Sequence, residues 1–295
     1  MATYESAIDR YAKVGDVKFA YRLIGPRVGI PLVFLMHYRG TMDHWDPALI
    51  NPLAERRPIL LIDNAGVGRS TGEIPKDFST WAQHYANVVT ALGFDQVDVL
   101  GFSMGGCVAQ MLALNAPALV RRLVLCSTIP SSGPGVVTAP LGPFNKLKAA
   151  STDNEHRQAF LLGFFTSSES SQAAGNLAWQ RIMTARKDRS GHVSSAGARN
   201  QGIAFMKFMD PKLAEQASFN RLGELSLPVL IANGSEDAIL PTDNSILMWK
   251  KLKHMGAQLH LFPDSGHGFF HQHPAQFADI VNSFLGNSRN GTSKI

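Results

Sequence analysis

Gly101-Phe102-Ser103-Met104-Gly105 carries the pattern G-x-S-x-G, and its flanks suit it as well as its letters. Before it, Val97-Asp98-Val99-Leu100 is short, β-branched and apolar, the pattern of a buried strand. After it, Gly106 to Leu114 reads as a helix that stops near Pro117. A serine between strand and helix sits on a sharp turn. The flanking glycines remove Cβ atoms where the backbone must pass closely. Such a turn pushes the hydroxyl out over the end of the sheet. The next N–H, that of Met104, then lies at a helix N-terminus and faces a developing negative charge.

A serine nucleophile needs a general base, and the base needs an orienting group. Downstream, Leu227 to Asn233 has a buried-strand pattern and runs into Gly234-Ser235-Glu236-Asp237. Asp237 is the candidate acid, with Glu236 as its neighbouring alternative. Gln258-Leu259-His260-Leu261-Phe262 reads as a further strand, leading to Ser265-Gly266-His267-Gly268. His267 in that loop is the candidate base. Of the ten histidines, His260 falls inside a strand, and His271 and His273 are rival bases just past the loop. His84 lies within a helical pattern and reads as a surface or core residue.

Strand, G-x-S-x-G and helix together resemble the nucleophile elbow of the α/β-hydrolase superfamily, and the chain order Ser, Asp, His is that superfamily's order. The resemblance covers about Val17 to Leu285. It implies Ser103 as nucleophile, His267 as general base and then general acid, and Asp237 as the orienting carboxylate. His37-Tyr38-Arg39-Gly40 stands where many relatives read His-Gly-x-Pro or His-Gly-Gly-Gly. Tyr replaces the usual Gly, and Gly the usual Pro. By position, the backbone N–H groups of Arg39 and Met104 would form the oxyanion hole. A backbone donor does not depend on its side chain, so the hole can survive these changes. The Arg39 side chain is expected to be solvated or structural, the alternative being a bidentate pair with a substrate carboxylate. Asp63 to Ser70 resembles the superfamily's D-x-x-G-x-G-x-S turn. It lacks the third glycine and the immediate helix of a dinucleotide site. Serine at the elbow, where epoxide hydrolases and haloalkane dehalogenases use aspartate, argues against those activities.

At 295 residues, with 45% hydrophobic and 17% charged residues, the chain suits one globular catalytic domain with an insertion. Its net charge of +5 is spread without a basic block. Arg121-Arg122 and Lys250-Lys251 read as solvated pairs, and there is no nucleic-acid signature. The two cysteines, Cys107 and Cys126, lie in apolar runs and read as small buried hydrophobes. No cofactor or metal site is indicated. No stretch is long enough to span a membrane, and residues 1–10 are polar. The expectation is a soluble intracellular protein, cytoplasmic or peroxisomal, since Ser293-Lys294-Ile295 resembles the peroxisomal tripeptide. Asn290-Gly291-Thr292 matches a glycosylation sequon that would be idle in such a compartment.

Strands at Lys18–Leu23, Leu32–Met36, Ile59–Ile62, Val97–Leu100, Leu123–Cys126, Val229–Ala232 and Gln258–Phe262 alternate with helices at Phe78–Leu92, Met104–Asn115, Asp243–His254 and Pro274–Leu285. That alternation predicts an α/β fold with a mostly parallel central sheet flanked by helices. Between about Ser127 and Glu224 the pattern turns helical, over Asp153–Phe165, Ser170–Arg186 and Ser194–Met209. The superfamily often inserts a helical cap there. The expected organisation is therefore a core of residues 1–127 and 225–295, with a cap insertion of residues 128–224. Phe160, Phe164, Phe165, Trp179, Met183, Phe205, Met206 and Phe208 supply that segment's apolar groups, most for packing and a few for a substrate pocket. The partner is a small molecule, and nothing in the sequence sets an oligomeric state. The function expected is hydrolysis of a small or medium ester with an apolar portion. A C–C bond hydrolase, thioesterase, lactonase or perhydrolase on the same triad is the first alternative. A non-hydrolytic binding or biosynthetic protein using the pocket is the second.

Overall fold

β3 (Leu32–Leu35), β4 (Ile59–Ile62), β5 (Val97–Phe102) and β7 (Val229–Gly234) are buried at every residue in the computed structural model, which describes residues 1–286. Continuous apolar runs of this kind belong to parallel strands covered on both faces. β6 (Val120–Cys126) and β8 (Gln258–Phe262) extend the same sheet, and β1 (Arg10–Val14) and β2 (Val17–Ile24) complete it. The order is β1-β2-β4-β3-β5-β6-β7-β8. All neighbours from β4 to β8 pair in parallel, while β1–β2 and β2–β4 are antiparallel.

The chain runs from β3 outward to β4, then crosses back over β3 to β5. That reversal makes the carboxyl ends of β3 and β5 a switch point, where loops diverge and leave a crevice. The connecting helices are α1 (Pro47–Ala54), α2 (Phe78–Ala91), α3 (Met104–Asn115), α9 (Thr242–Leu252), α10 (Phe269–Gln272) and α11 (Pro274–Gly286). α4 (Gly142–Ala149), α5 (Asp153–Phe164), α6 (Glu169–Thr184), α7 (Ser195–Phe208) and α8 (Ser218–Arg221) all fall between β6 and β7. This helical insertion contains no strand. Phe160, Phe164, Phe165 and Phe208 are buried in it, whereas Met206 is 71% exposed. No helix among the described residues is long and apolar enough to cross a membrane. The tail tripeptide and the sequon at residues 290–295 lie outside the described residues.

Arg121 and Arg122 correct the expectation of a solvated pair. β6 begins at Val120, so both arginines lie within the sheet. Arg121 makes a two-pronged bond to the buried Asp98 at 2.9 and 2.6 Å. Arg122 is itself buried and donates to the carbonyl of Phe284 at 3.0 Å. A charge on β5 calls for a counter-charge on β6, and adjacency in sequence does not reveal that.

A second ionic cluster joins the core to the insertion. Asp43 is fully buried and bonds Arg22 at 2.6 Å and Arg69 at 2.5 Å. It also accepts from the N–H and hydroxyl of Ser190, in the loop before α7, at 2.7 and 2.9 Å. Burial alone would raise this carboxyl, but the Arg22 guanidinium and the bonds from Arg69 and Ser190 bring it down to about 2. A carboxylate held below its unfolded value contributes stability that is complete above pH ~4 and lost as pH falls toward 2. The shift corresponds to about 2 kcal/mol. Asp43→Asn is therefore expected to lower the unfolding free energy at pH 7 by about 3 kcal/mol, because the buried Arg22 loses one of its two carboxylate partners and keeps only Asp9, at 2.6 Å. The deficit should shrink between pH 4 and pH 2.5. Urea unfolding at both ends of that window checks it, and a deficit independent of pH would refute the assignment.

Candidate active site

Ser103 links the last residue of β5 to the first of α3, with φ 57° and ψ −123°. A non-glycine residue at positive φ is strained, and here the surroundings hold it in place. Its N–H donates to the Cys126 carbonyl at 2.9 Å, and its carbonyl accepts from Thr128 Oγ1 at 2.7 Å. Both partners lie at the end of β6 or just past it. The tightness of the turn explains the glycines. A Cβ on Gly105 would come within 2.1 Å of the Leu35 carbonyl oxygen, and one on Gly101 within 2.5 Å of the Gly105 oxygen. The first turn of α3 thus lies directly against the end of β3. Gly105→Ala is expected to cost several kcal/mol, about 3 or more, because the obstacle is backbone rather than a side chain that can turn away. Denaturant unfolding of Gly105→Ala beside Gly202→Ala, where a Cβ meets nothing within 4 Å, checks this. Equal stabilities would refute it.

Ser103 is 7% exposed and Met104, as the first residue of α3, carries an N–H that the helix itself does not use. His267 lies in the loop after β8, and Asp237 in the loop after β7. His267 Nδ1 is 2.8 Å from Asp237 Oδ2. The other carboxylate oxygen accepts from the N–H groups of Ile239 and Leu240 at 2.9 and 2.8 Å. An ionised carboxylate only accepts, so Nδ1 carries the proton and Nε2 is left with a basic lone pair. The His267 ring packs on Phe102, the residue before Ser103, at 5.0 Å between centroids, and on Phe164 of α5 at 5.1 Å. All three sequence candidates thus lie on loops at the carboxyl ends of β5, β7 and β8, and of them His267 and Asp237 are in direct contact. Glu236, the alternative acid, is exposed.

The rival histidines are engaged elsewhere. His271 is buried, with Nδ1 3.4 Å from Asp46, whose carboxylate also pairs with Arg181 of α6 at 2.6 Å. Burial lowers the His271 imidazole despite that carboxylate. His273 lies 3.1 Å from the Ser265 hydroxyl. His260 sits in β8, and His84, half-buried on α2, is 3.1 Å from Asn64 Oδ1. His37 is buried against Phe102 and Phe164 at 5.3 and 5.4 Å, and burial pushes it down to about 3. It is neutral at physiological pH and adds no charge to the site. Both cysteines are buried and unbridged, and burial pushes the Cys107 thiol up to about 12.

Arg39 takes the structural one of its two expected roles. Its backbone is left-handed, φ 65°. The side chain is buried rather than solvated. Its Nε donates to the Val193 carbonyl at 3.1 Å, and its Nη1 to those of Leu147, Lys148 and Ala150 at 3.2, 3.1 and 2.6 Å. Those last carbonyls end α4, where a cation is favoured. The structural alternative therefore holds, and the solvated one is corrected. The guanidinium anchors the helical insertion instead of facing a substrate carboxylate. The Arg39 N–H is also in use: it donates to Oε1 of Gln201, on α7, at 2.9 Å. Gln201 escaped the sequence reading, although a glutamine on the inward stripe of α7, with Ala198, Ala204 and Phe208, was a signal for it. Among the described residues, no group of three His, Cys, Asp or Glu side chains is placed to hold a metal ion.

Comparison with known proteins agrees with this architecture. A solved α/β-hydrolase fold protein from Chitinophaga pinensis is 30% identical and superposes with a TM-score of 0.83, over 97% of this chain and 100% of that one. The 2-hydroxymuconate semialdehyde hydrolase of Pseudomonas sp. strain CF600 is 28% identical over 87% of each chain. The esterase RhEst1 from Rhodococcus sp. ECU1013 shares the fold at 21% identity, with a TM-score of 0.70 over 96% of this chain and 99% of that one. The family model described as the alpha/beta hydrolase fold matches residues 30–274, so the chain belongs to the α/β-hydrolase family.

Proposed function

We propose that the protein is a serine hydrolase working through Ser103, His267 and Asp237 by way of an acyl-enzyme. The observation that carries this reading is the pair of His267 and Asp237. His267 Nδ1 lies 2.8 Å from the carboxylate, which favours the Nδ1–H tautomer, and the ring packs on the residue before a strained serine. His267 Nε2 takes the Ser103 hydroxyl proton as Oγ attacks the acyl carbon. The tetrahedral oxyanion accepts from the N–H groups of Met104 and Arg39. The imidazolium then gives its proton to the leaving group, and a water molecule repeats the sequence on the acyl-enzyme. The helical insertion acts as the cap over this site. Phe164 and Phe160 pack toward His267 and His271, respectively, and supply an apolar wall. A small or medium ester with an apolar portion suits that wall.

Hydrolysis of a C–C bond in a ring-cleavage product is a second reading, favoured by the 28% identity to a 2-hydroxymuconate semialdehyde hydrolase. A fluorophosphonate probe tests the shared mechanism. The native protein is expected to label, and Ser103→Ala and His267→Ala are not. Absence of Ser103-dependent labelling in the native protein would count against both readings. Parallel assays with p-nitrophenyl esters and 2-hydroxymuconate semialdehyde then separate them.

A further inference from the structure

The N–H of Arg39 has two claimants. In the proposed reaction it serves the oxyanion, and in the structure it serves Gln201 Oε1 at 2.9 Å. Gln201 is 1% exposed and is the polar member of the buried stripe Ala198, Gln201, Ala204 and Phe208 on α7. Glutamine is seldom fully buried, and one placed on an apolar stripe needs a hydrogen-bonding reason. That reason is Arg39. A carboxamide oxygen is the same kind of acceptor as an ester carbonyl oxygen. The close approach of β3 to the first turn of α3 places the Arg39 loop beside the elbow. We propose that Gln201 is a stand-in for the substrate carbonyl: it occupies the Arg39 N–H until an acyl group binds and displaces it. This rests on the reading of Ser103 as nucleophile and Arg39 as oxyanion donor.

The exchange has a direction. Gln201 competes on equal terms with a neutral substrate carbonyl, because both make ordinary N–H···O bonds. It loses to the oxyanion, whose bond is charge-assisted. Gln201 therefore acts as a positioning residue whose displacement costs the bound ground state and the transition state alike, so it raises KM and leaves kcat unchanged. Every acyl group that takes the Arg39 N–H bears the same displacement cost, so the penalty in KM does not depend on acyl size.

The test uses the full chain and its Gln201→Ala, Gln201→Met and Gln201→Glu variants. Second-order labelling by a fluorophosphonate probe is measured, with KM and kcat for p-nitrophenyl acetate and hexanoate. Gln201→Ala and Gln201→Met are expected to label on the order of 3–10-fold faster than the native chain, one hydrogen bond's worth of competition. The gain should appear in KM, with kcat unchanged, and be of similar size for acetate and hexanoate. Gln201→Glu should label more slowly, since a carboxylate holds the N–H more tightly. Should Gln201→Ala fail to fold, Gln201→Met, of similar volume, decides. A residue that only propped the loop would show a lower Tm without faster labelling, and that result overturns the inference alone. If neither the native chain nor any variant labels at Ser103, the hydrolase reading falls and the inference with it.

Discussion

Ser103→Ala is expected to reduce kcat by about 10⁶-fold and to abolish fluorophosphonate labelling, with the fold intact. The hydroxyl is the atom that would form the acyl bond, and nothing else at the elbow can replace it. Cys107, one helical turn on, is buried with its thiol pushed up to about 12, so it is no substitute nucleophile. The same position yields an opposite effect on stability. Ser103 sits at φ 57°, and holding a non-glycine residue there costs about 1–3 kcal/mol. Alanine keeps the Cβ and the strain. Glycine removes the strain and returns about 0.5–1 kcal/mol of it through the greater freedom of the unfolded chain. Ser103→Gly should therefore be inactive yet more stable than the native protein by about 0.5–2 kcal/mol. Paired urea titrations and labelling assays read both effects. Turnover surviving in Ser103→Ala would remove the serine from the mechanism. A Ser103→Gly less stable than the native chain would mean the turn is not strained.

What the sequence disclosed depended on how local the cause was. β4 and β8 were legible to the residue, because short apolar runs bounded by proline and turn residues specify strands. α3 was legible from Met104 to Asn115 for the same reason, and Ser103, Asp237 and His267 were each read from the loop that follows a strand. β1 was missed because its residues alternate between exposed and half-buried and so resemble a polar loop. α1 was missed as well, although Asp46 caps it by accepting from the Ala48 N–H at 2.9 Å and Pro47 starts it. Arg39 was left between a solvated and a structural role for a different reason. Its partners, Leu147 to Gln201, lie more than a hundred residues along the chain. No local pattern distinguishes a solvated arginine from one that must satisfy the carbonyls ending a helix in another layer. Arg121 failed likewise, because Asp98 becomes its neighbour only when β5 and β6 pair.

Asp237→Asn is expected to lose about 10⁴-fold in kcat, the size this change has in a serine protease, with little change in fold or KM. The argument turns on which oxygen does what. Asp237 Oδ1 accepts from the N–H groups of Ile239 and Leu240 at 2.9 and 2.8 Å, while Oδ2 faces His267 Nδ1 at 2.8 Å. Asparagine has only one acceptor oxygen, and two backbone donors hold it on the loop side. Its amide nitrogen must then face the imidazole. Two donors cannot share that bond, so His267 would shift its proton to Nε2 and offer Nδ1 as the acceptor. Nε2–H cannot take the serine proton, and the base is silenced without being moved. Glu236→Gln is the matched control, since Glu236 is exposed beside Asp237 and should leave kcat within about twofold. Steady-state kinetics on the two variants separate the adjacent acids. A Glu236→Gln collapse would make Glu236 the orienting acid. An Asp237→Asn enzyme within tenfold of the native rate would show that His267 keeps its reactive tautomer without a carboxylate. The 2.8 Å contact would then be structural only.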